Sequence, residues 1–148
     1  MSQRRIMSID PSTFKKMYDY HQSWLTHRTG FRMTLKRCKV VPIDVTGGNF
    51  VSAIFTYSDL RDMVFDYTDL KGADFRGCDL RGASFVNADL RNANFRGADI
   101  TYADFTGADI RFTEGLRADI LSQLVPDFVG PSTYGDCRDD VYRERGLQ

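Results

Sequence analysis

A chain of 148 residues is long enough for one compact domain with a substantial core and too short for two. Its 20 Lys and Arg balance 20 Asp and Glu, so no overall field points to nucleic acid or to an acidic membrane. No apolar run approaches bilayer-spanning length, and the start MSQRRIMSIDPS lacks a signal-type apolar region, which makes the cytoplasm the expected compartment.

The charge is unevenly spread. Residues 1–47 carry nine basic and three acidic side chains, residues 48–112 seven and ten, and residues 113–148 four and seven. The molecule is therefore expected to be electrically polar from end to end. Three cysteines without a CxxC pair argue against a disulfide framework and against a zinc site.

Residues 1–32 read as an N-terminal segment with a capping helix. Asp10 is a plausible N-cap, Pro11 suits the first helical position, and Gly30 follows the end. Phe14, Met17, Tyr18, His21, Trp24 and Leu25 share one helical face, with Lys15, Lys16, Asp19, Gln22 and Thr26 on the other.

From residue 33 to 112 a different pattern rules. A large apolar residue recurs every fifth position, with Phe75, Leu80, Phe85, Leu90 and Phe95 alternating strictly. On a helix, positions five apart step by about 140° and wander round the cylinder. On a continuous strand, five is odd and sends successive residues to opposite faces. The conflict disappears if the chain turns a corner once per pentad, each unit forming one short wall of a coil. The residue two before the large one then points inward as well, and Ala73, Cys78, Ala83, Ala88, Ala93, Ala98, Ala103 and Ala108 hold that position. Polar residues, mostly Asp, fill the place between.

Ala73-Asp74-Phe75, Ala88-Asp89-Leu90, Ala93-Asn94-Phe95, Ala98-Asp99-Ile100, Ala103-Asp104-Phe105 and Ala108-Asp109-Ile110 resemble the A(D/N)LXX pattern of the pentapeptide-repeat family. That resemblance implies an all-β solenoid: a right-handed, four-sided β-helix with four pentads to a coil. Phe50, Phe55, Leu60 and Phe65 continue the register upstream, as do Leu35, Val40 and Val45 with Met33, Cys38 and Ile43. Sixteen pentads make about four coils, roughly 19 Å of stacked strands, ending where Gly115 offers no large residue. In this geometry Phe55, Phe75 and Phe95 form one aromatic ladder, and Phe65, Phe85 and Phe105 the opposing one.

Residues 113–148 read as a second amphipathic helix, with Leu116, Ile120, Leu121 and Leu124 on its apolar side and Pro126 ending it, followed by a Gly-, Asp- and Arg-rich tail. A solenoid end needs covering, so this helix is either a lid or a dimer seam. Family members that protect DNA gyrase often form dimers through this end, which implies a homodimer here.

No catalytic, cofactor or metal site is expected. His21 and His27 lie six apart, on different sides of a helix, and His21 reads as a packed core residue. Cys38 and Cys78 fall in one corner column with Ser58 between, about 9.6 Å apart and too far for a disulfide. The Asp columns 69, 89, 109 and 59, 79, 99 run beside Lys71, Arg91, Arg111 and Arg61, Arg81, neighbours that neutralise them.

Function is therefore expected in binding. The family includes mimics of duplex DNA whose acidic faces occupy the DNA-binding saddle of gyrase, so the resemblance implies a protein partner such as gyrase or another DNA-binding machine. Basic residues on three walls depart from that pattern. The wall centred on Phe65, Phe85 and Phe105 has none; its outward residues Val64, Asp66, Tyr67, Ser84, Val86, Asn87, Asp104 and Thr106 form the candidate interface. The basic cluster of Arg28, Arg32, Lys36, Arg37 and Lys39 is small and carries no groove-reading motif, so direct nucleic-acid binding is not expected. The alternative is an adaptor whose repeat is a rigid spacer and whose termini carry recognition.

Overall fold

In the computed structural model, residues 6–116 are described. Parallel bridges join each coil to the next at a constant spacing of 20 residues, from Thr34 with Ile54 to Asn94 with Glu114. They fall into four columns, which define four walls. The first runs through 34, 54, 74, 94 and 114; the second through 39, 59, 79 and 99; the third through 44, 64, 84 and 104; the fourth through 49, 69, 89 and 109.

One pentad shows why five residues suffice for a side. Around Phe75, the amide of Phe75 donates to the carbonyl of Asn94 at 2.7 Å, that of Gly77 to Arg96 at 2.9 Å, and that of Asp79 back to Ser58 at 3.0 Å. The Cys78 amide closes the corner on the carbonyl of Phe75 at 3.1 Å. Only the Arg76 amide lacks a backbone acceptor, and it donates to Oδ1 of Asp74 at 3.1 Å. All five donors are satisfied, three of them by the neighbouring coils.

The corner is a turn whose third residue has positive φ, and that conformation recurs every five residues from Arg37 to Phe112. Position 42 is the exception, because the Pro42 ring fixes φ negative.

The phenylalanines of both ladders are buried. Phe55 and Phe75 stack at 5.2 Å between centroids, Phe75 and Phe95 at 4.9 Å; Phe65 and Phe85 stack at 5.2 Å, Phe85 and Phe105 at 5.0 Å. Between the ladders the rings meet edge to face, as Phe75 and Phe85 do at 5.6 Å. Both arrangements suit the ring quadrupole. Changing Phe85 to Ala opens this bore in the middle and is expected to lower the unfolding free energy by about 3–5 kcal/mol in denaturant titration.

The start of the chain differs from its sequence reading. Before the expected helix, Met7–Ile9 forms a strand, β1, which pairs in parallel with Cys38–Val40, here β2, and adds a further layer to the second wall. Ile9 enters the core and its carbonyl accepts the Val41 amide at 3.0 Å. Three residues are too few to show an alternating pattern, which hid this strand. The far end differs too: the bridge from Asn94 to Glu114 carries the coil past residue 112. Thr113 is buried at the inward small-residue position and donates its hydroxyl to the carbonyl of Ile110 at 2.8 Å.

Helix α1, Pro11–His27, lies over the open end of the bore. Its N-cap Asp10 accepts the Thr13 amide at 2.7 Å, and Arg28 ends it in a left-handed conformation. Phe14 and Tyr18 cover Phe50, the one phenylalanine on the fourth wall's inner face, at 6.0 and 5.1 Å. The Tyr18 hydroxyl accepts the Asn49 amide at 3.1 Å, and Gln22 donates to the Asn49 carbonyl at 2.8 Å. These bonds occupy groups of the first coil that have no preceding coil to meet.

His21 is completely buried, and its Nδ1 accepts the Met33 amide at 3.0 Å. That bond leaves the proton on Nε2, which has no hydrogen-bond partner among the described residues. Burial pushes the ring below its ordinary 6.5, against the Val51 backbone and aided by the Arg32 charge. The unfolded chain therefore takes up a proton that the folded chain resists, so stability is full above pH 6.5 and falls as pH drops below it. The melting temperature is expected to decline between about pH 7 and 5, and His21→Gln, scanned over the same range, to flatten that decline.

Candidate interface on the third wall and at the corners

Three walls neutralise their own carboxylates. Asp59 takes Nε and Nη2 of Arg61 at 2.9 and 2.8 Å, and Arg61 also reaches Asp79 of the next coil at 3.6 Å. Asp79 is in turn held by Arg81, which lies 3.9 Å from Asp99. The fourth wall repeats the arrangement with Asp69 and Lys71, then Asp89, Arg91, Asp109 and Arg111. The first has Asp74 with Arg76, and Arg96 with Glu114. The arginine hydrogen bonds hold Asp59 and Asp79 below the usual carboxylate range despite partial burial. Acid and base therefore alternate up each column, as the sequence spacing suggests.

The sequence reading missed the second task of these carboxylates. Besides its ion pair, each accepts the amide two residues on: Arg61 to Asp59 at 3.1 Å, Arg91 to Asp89 at 3.2 Å, Arg111 to Asp109 at 3.2 Å. The preference of Asp and Asn for turns supplied that signal.

The third wall is different in kind. Its pentads contain no Lys or Arg, and among the described residues Asp44, Asp66 and Asp104 make no ion pair. Asp104 is capped only by Thr106, whose amide and hydroxyl donate at 2.9 and 2.6 Å, and Asp44 by Thr46 in the same manner. Asp66 is more engaged. It accepts the Ser84 hydroxyl and, at 3.0 Å, the Val86 amide, filling the place that an aspartate at 84 would take in other pentads. Val64, Asp66, Ser84 and Val86 are half-buried; Tyr67, Asn87, Asp104 and Thr106 are exposed. The eight residues thus lie on one wall and its following corner. Of the four apolar residues expected on the second helix, Leu116 packs into the core; Ile120, Leu121 and Leu124 lie outside the described residues.

The corners add a feature that spacing alone did not reveal. Tyr57, Tyr67, Tyr102 and Phe112 all have φ between 56° and 64°, where a bulky side chain is strained. Tyr67 is 63% exposed and Tyr102 92%. They occupy the two corners that flank the third wall. Neither exposure rewards the strained backbone through packing within the fold.

Cys38 and Cys78 are buried free thiols, and burial pushes Cys78 up to about 12, which makes it inert as a nucleophile. No helix among the described residues is long and apolar enough to cross a membrane.

The profile of the family described as pentapeptide repeats matches the chain in 8 copies, over residues 49–82 and 75–111. Residues 49–111 are a run of pentapeptide repeats. Several solved structures resemble the chain. One is alr5209, a pentapeptide repeat protein from Nostoc PCC 7120, at 20% identity over 82% of this chain and 97% of that one, with a TM-score of 0.48. HetL of the same cyanobacterium, involved in heterocyst differentiation regulation, matches at 25% identity over 54% and 39%, with a TM-score of 0.32. QnrB1, a plasmid-mediated fluoroquinolone resistance protein, matches at 18% over 58% and 62%, with a TM-score of 0.31. No curated protein matches the chain.

The left-handed tyrosines give a direct test of strain. A left-handed backbone costs a non-glycine residue about 1–2 kcal/mol, and glycine returns about 0.5–1 kcal/mol of that as unfolded-state entropy. Tyr102→Gly is therefore expected to raise stability by up to about 1 kcal/mol in denaturant titration, the reverse of what loss of a packed aromatic would do.

Proposed function

We propose that this pentapeptide-repeat protein is a non-catalytic binding rod whose third wall docks on a protein partner. The observation that carries the reading is the contrast among walls: three have paired carboxylates, and the third presents Asp44, Asp66 and Asp104 without basic neighbours, beside Val64, Val86 and the exposed Tyr67. Such a surface suits a basic partner groove. The apolar residues supply area, Tyr67 an anchor, and the carboxylates orientation and a fast encounter.

Within that class the sharpest version is DNA mimicry against a topoisomerase or another DNA-binding machine, a role known in the family. The charge on the wall supports it only on one side, since the other walls alternate in sign where duplex DNA is acidic all round. This version predicts that micromolar protein changes the supercoiling activity of DNA gyrase, or its response to a fluoroquinolone. No effect in either assay removes it.

The adaptor reading places recognition in the termini and leaves the repeat as a spacer. Val64→Lys, Tyr67→Lys and Val86→Lys together should abolish partner capture if the wall binds and leave it intact if the termini do. Deleting residues 129–148 is expected to have the opposite pattern. A triple variant that still binds, with the deletion that does not, would sink the wall hypothesis.

A further inference from the structure

The basic residues of the chain divide sharply in two. From residue 61 to 111 every Lys and Arg is ion-paired to a wall carboxylate. Between residues 28 and 39 none of Arg28, Arg32, Lys36, Arg37 and Lys39 has an ion pair among the described residues. Three of these five lie against aromatic rings instead. Arg28 and Arg32 stand 5.2 and 5.6 Å from the Trp24 ring centroid, and Arg37 stands 5.1 Å from that of Tyr57.

An arginine over a ring face spends no donor on a carboxylate and keeps a fork of N–H groups that matches phosphate. The Arg37 and Tyr57 pair is also strained into place. Both are left-handed, at φ 54° and 56°, in consecutive coils of one corner. The next coil has Gly77 there, where a Cβ would come within 2.4 Å of the Tyr57 ring. That corner opens into a groove of about 670 Å³ lined by Lys36, Arg37, Lys39 and Tyr57, with Met7 of the N-terminal strand and the preceding Ile6 as an apolar side. The carboxylates in it, Asp59 and Asp79, are already committed to Arg61 and Arg81.

Further aromatics extend the patch. Phe31, 73% exposed, meets Tyr20 edge to face at 5.9 Å. Arg32 and Lys36 are four residues apart, at most about 14 Å along the chain, so one short oligonucleotide reaches both. Unpaired cations beside the exposed rings of Tyr20 and Phe31 meet the two needs of an unstacked polynucleotide: phosphate neutralisation and base stacking. An acidic peptide would use the cations and leave the rings idle.

We propose that the surface formed by Arg28, Phe31, Arg32, Lys36 and Arg37 binds single-stranded nucleic acid, with phosphates on the cations and a base on the Phe31 ring. The overall neutrality of the chain and the lack of a motif hid it, since both measures average over walls whose charges cancel.

The test is fluorescence anisotropy of the full chain with a labelled oligo-dT of about twenty nucleotides. Neutralising about four phosphates should weaken binding about 50-fold between 50 and 200 mM salt. Lys36→Glu with Arg37→Glu should abolish binding, and Phe31→Ala should weaken it about 5- to 100-fold as a lost stacking platform. Arg37→Gly separates function from folding: it relaxes a strained corner, so the melting temperature should hold or rise while affinity falls. Absence of binding at 50 mM salt overturns the proposal. So does affinity unchanged in the double variant, equal affinity for poly-glutamate, or binding confined to phosphatidylserine vesicles.

Discussion

The structure rests on one constraint: in a five-residue side, four backbone donors find backbone acceptors and the fifth does not. The residue after each inward apolar side chain points its amide outward at the start of the corner. Within the repeat itself no backbone carbonyl of a neighbouring coil takes it. An Asp or Asn two residues earlier reaches it from the same wall, as Asp74 does for Arg76 and Asn94 for Arg96. The aspartates are thus part of the backbone's own accounting before they are charges. On three walls the carboxylates so placed are then neutralised by basic residues at the very positions whose amides are accepted.

Two of the exceptions find another acceptor. Where Ser84 replaces aspartate, Asp66 of the preceding coil reaches across to the Val86 amide. Where Lys39 replaces it, the carbonyl of Ile9 in the N-terminal strand takes the Val41 amide. The first leaves Asp66 without an arginine, on a wall where Asp44 and Asp104 are capped by threonine instead. The second requires the N-terminal strand, which then helps to line the basic groove. Both candidate surfaces arise where the repeat breaks its own rule.

Much of the fold was legible in the sequence because a period of five fits neither a helix nor a strand, which leaves the cornered coil. The Phe ladders, the buried cysteines, the capping helix with its packed His21 and the neutralised columns follow from that register. Less was legible at the sites. The wall around Phe65 and Phe85 shows itself as a run without Lys or Arg, but that Asp66 is tied down by Ser84 and Val86 depends on which side chains meet across coils. The N-terminal strand is too short for periodicity. The left-handed tyrosines had a signal that was present yet unused, since the second corner residue is glycine at Gly72, Gly77 and Gly82 and tyrosine at Tyr57, Tyr67 and Tyr102.

That last position says where a rigid coil can host recognition. Inward residues are fixed by the bore, and the residue between them is fixed by the orphan amide. Only the two corner residues are free, and the second must adopt a left-handed backbone that favours glycine or asparagine. A bulky side chain there projects beyond both adjoining walls, which makes it the natural contact of a smooth rod. It also costs about 1–2 kcal/mol, an amount that one layer of stacked phenylalanines, worth about 3–5 kcal/mol each, readily offsets. The aromatic bore therefore does more than stabilise. It supplies the surplus that lets Arg37, Tyr57, Tyr67 and Tyr102 stand where the backbone would not otherwise hold them.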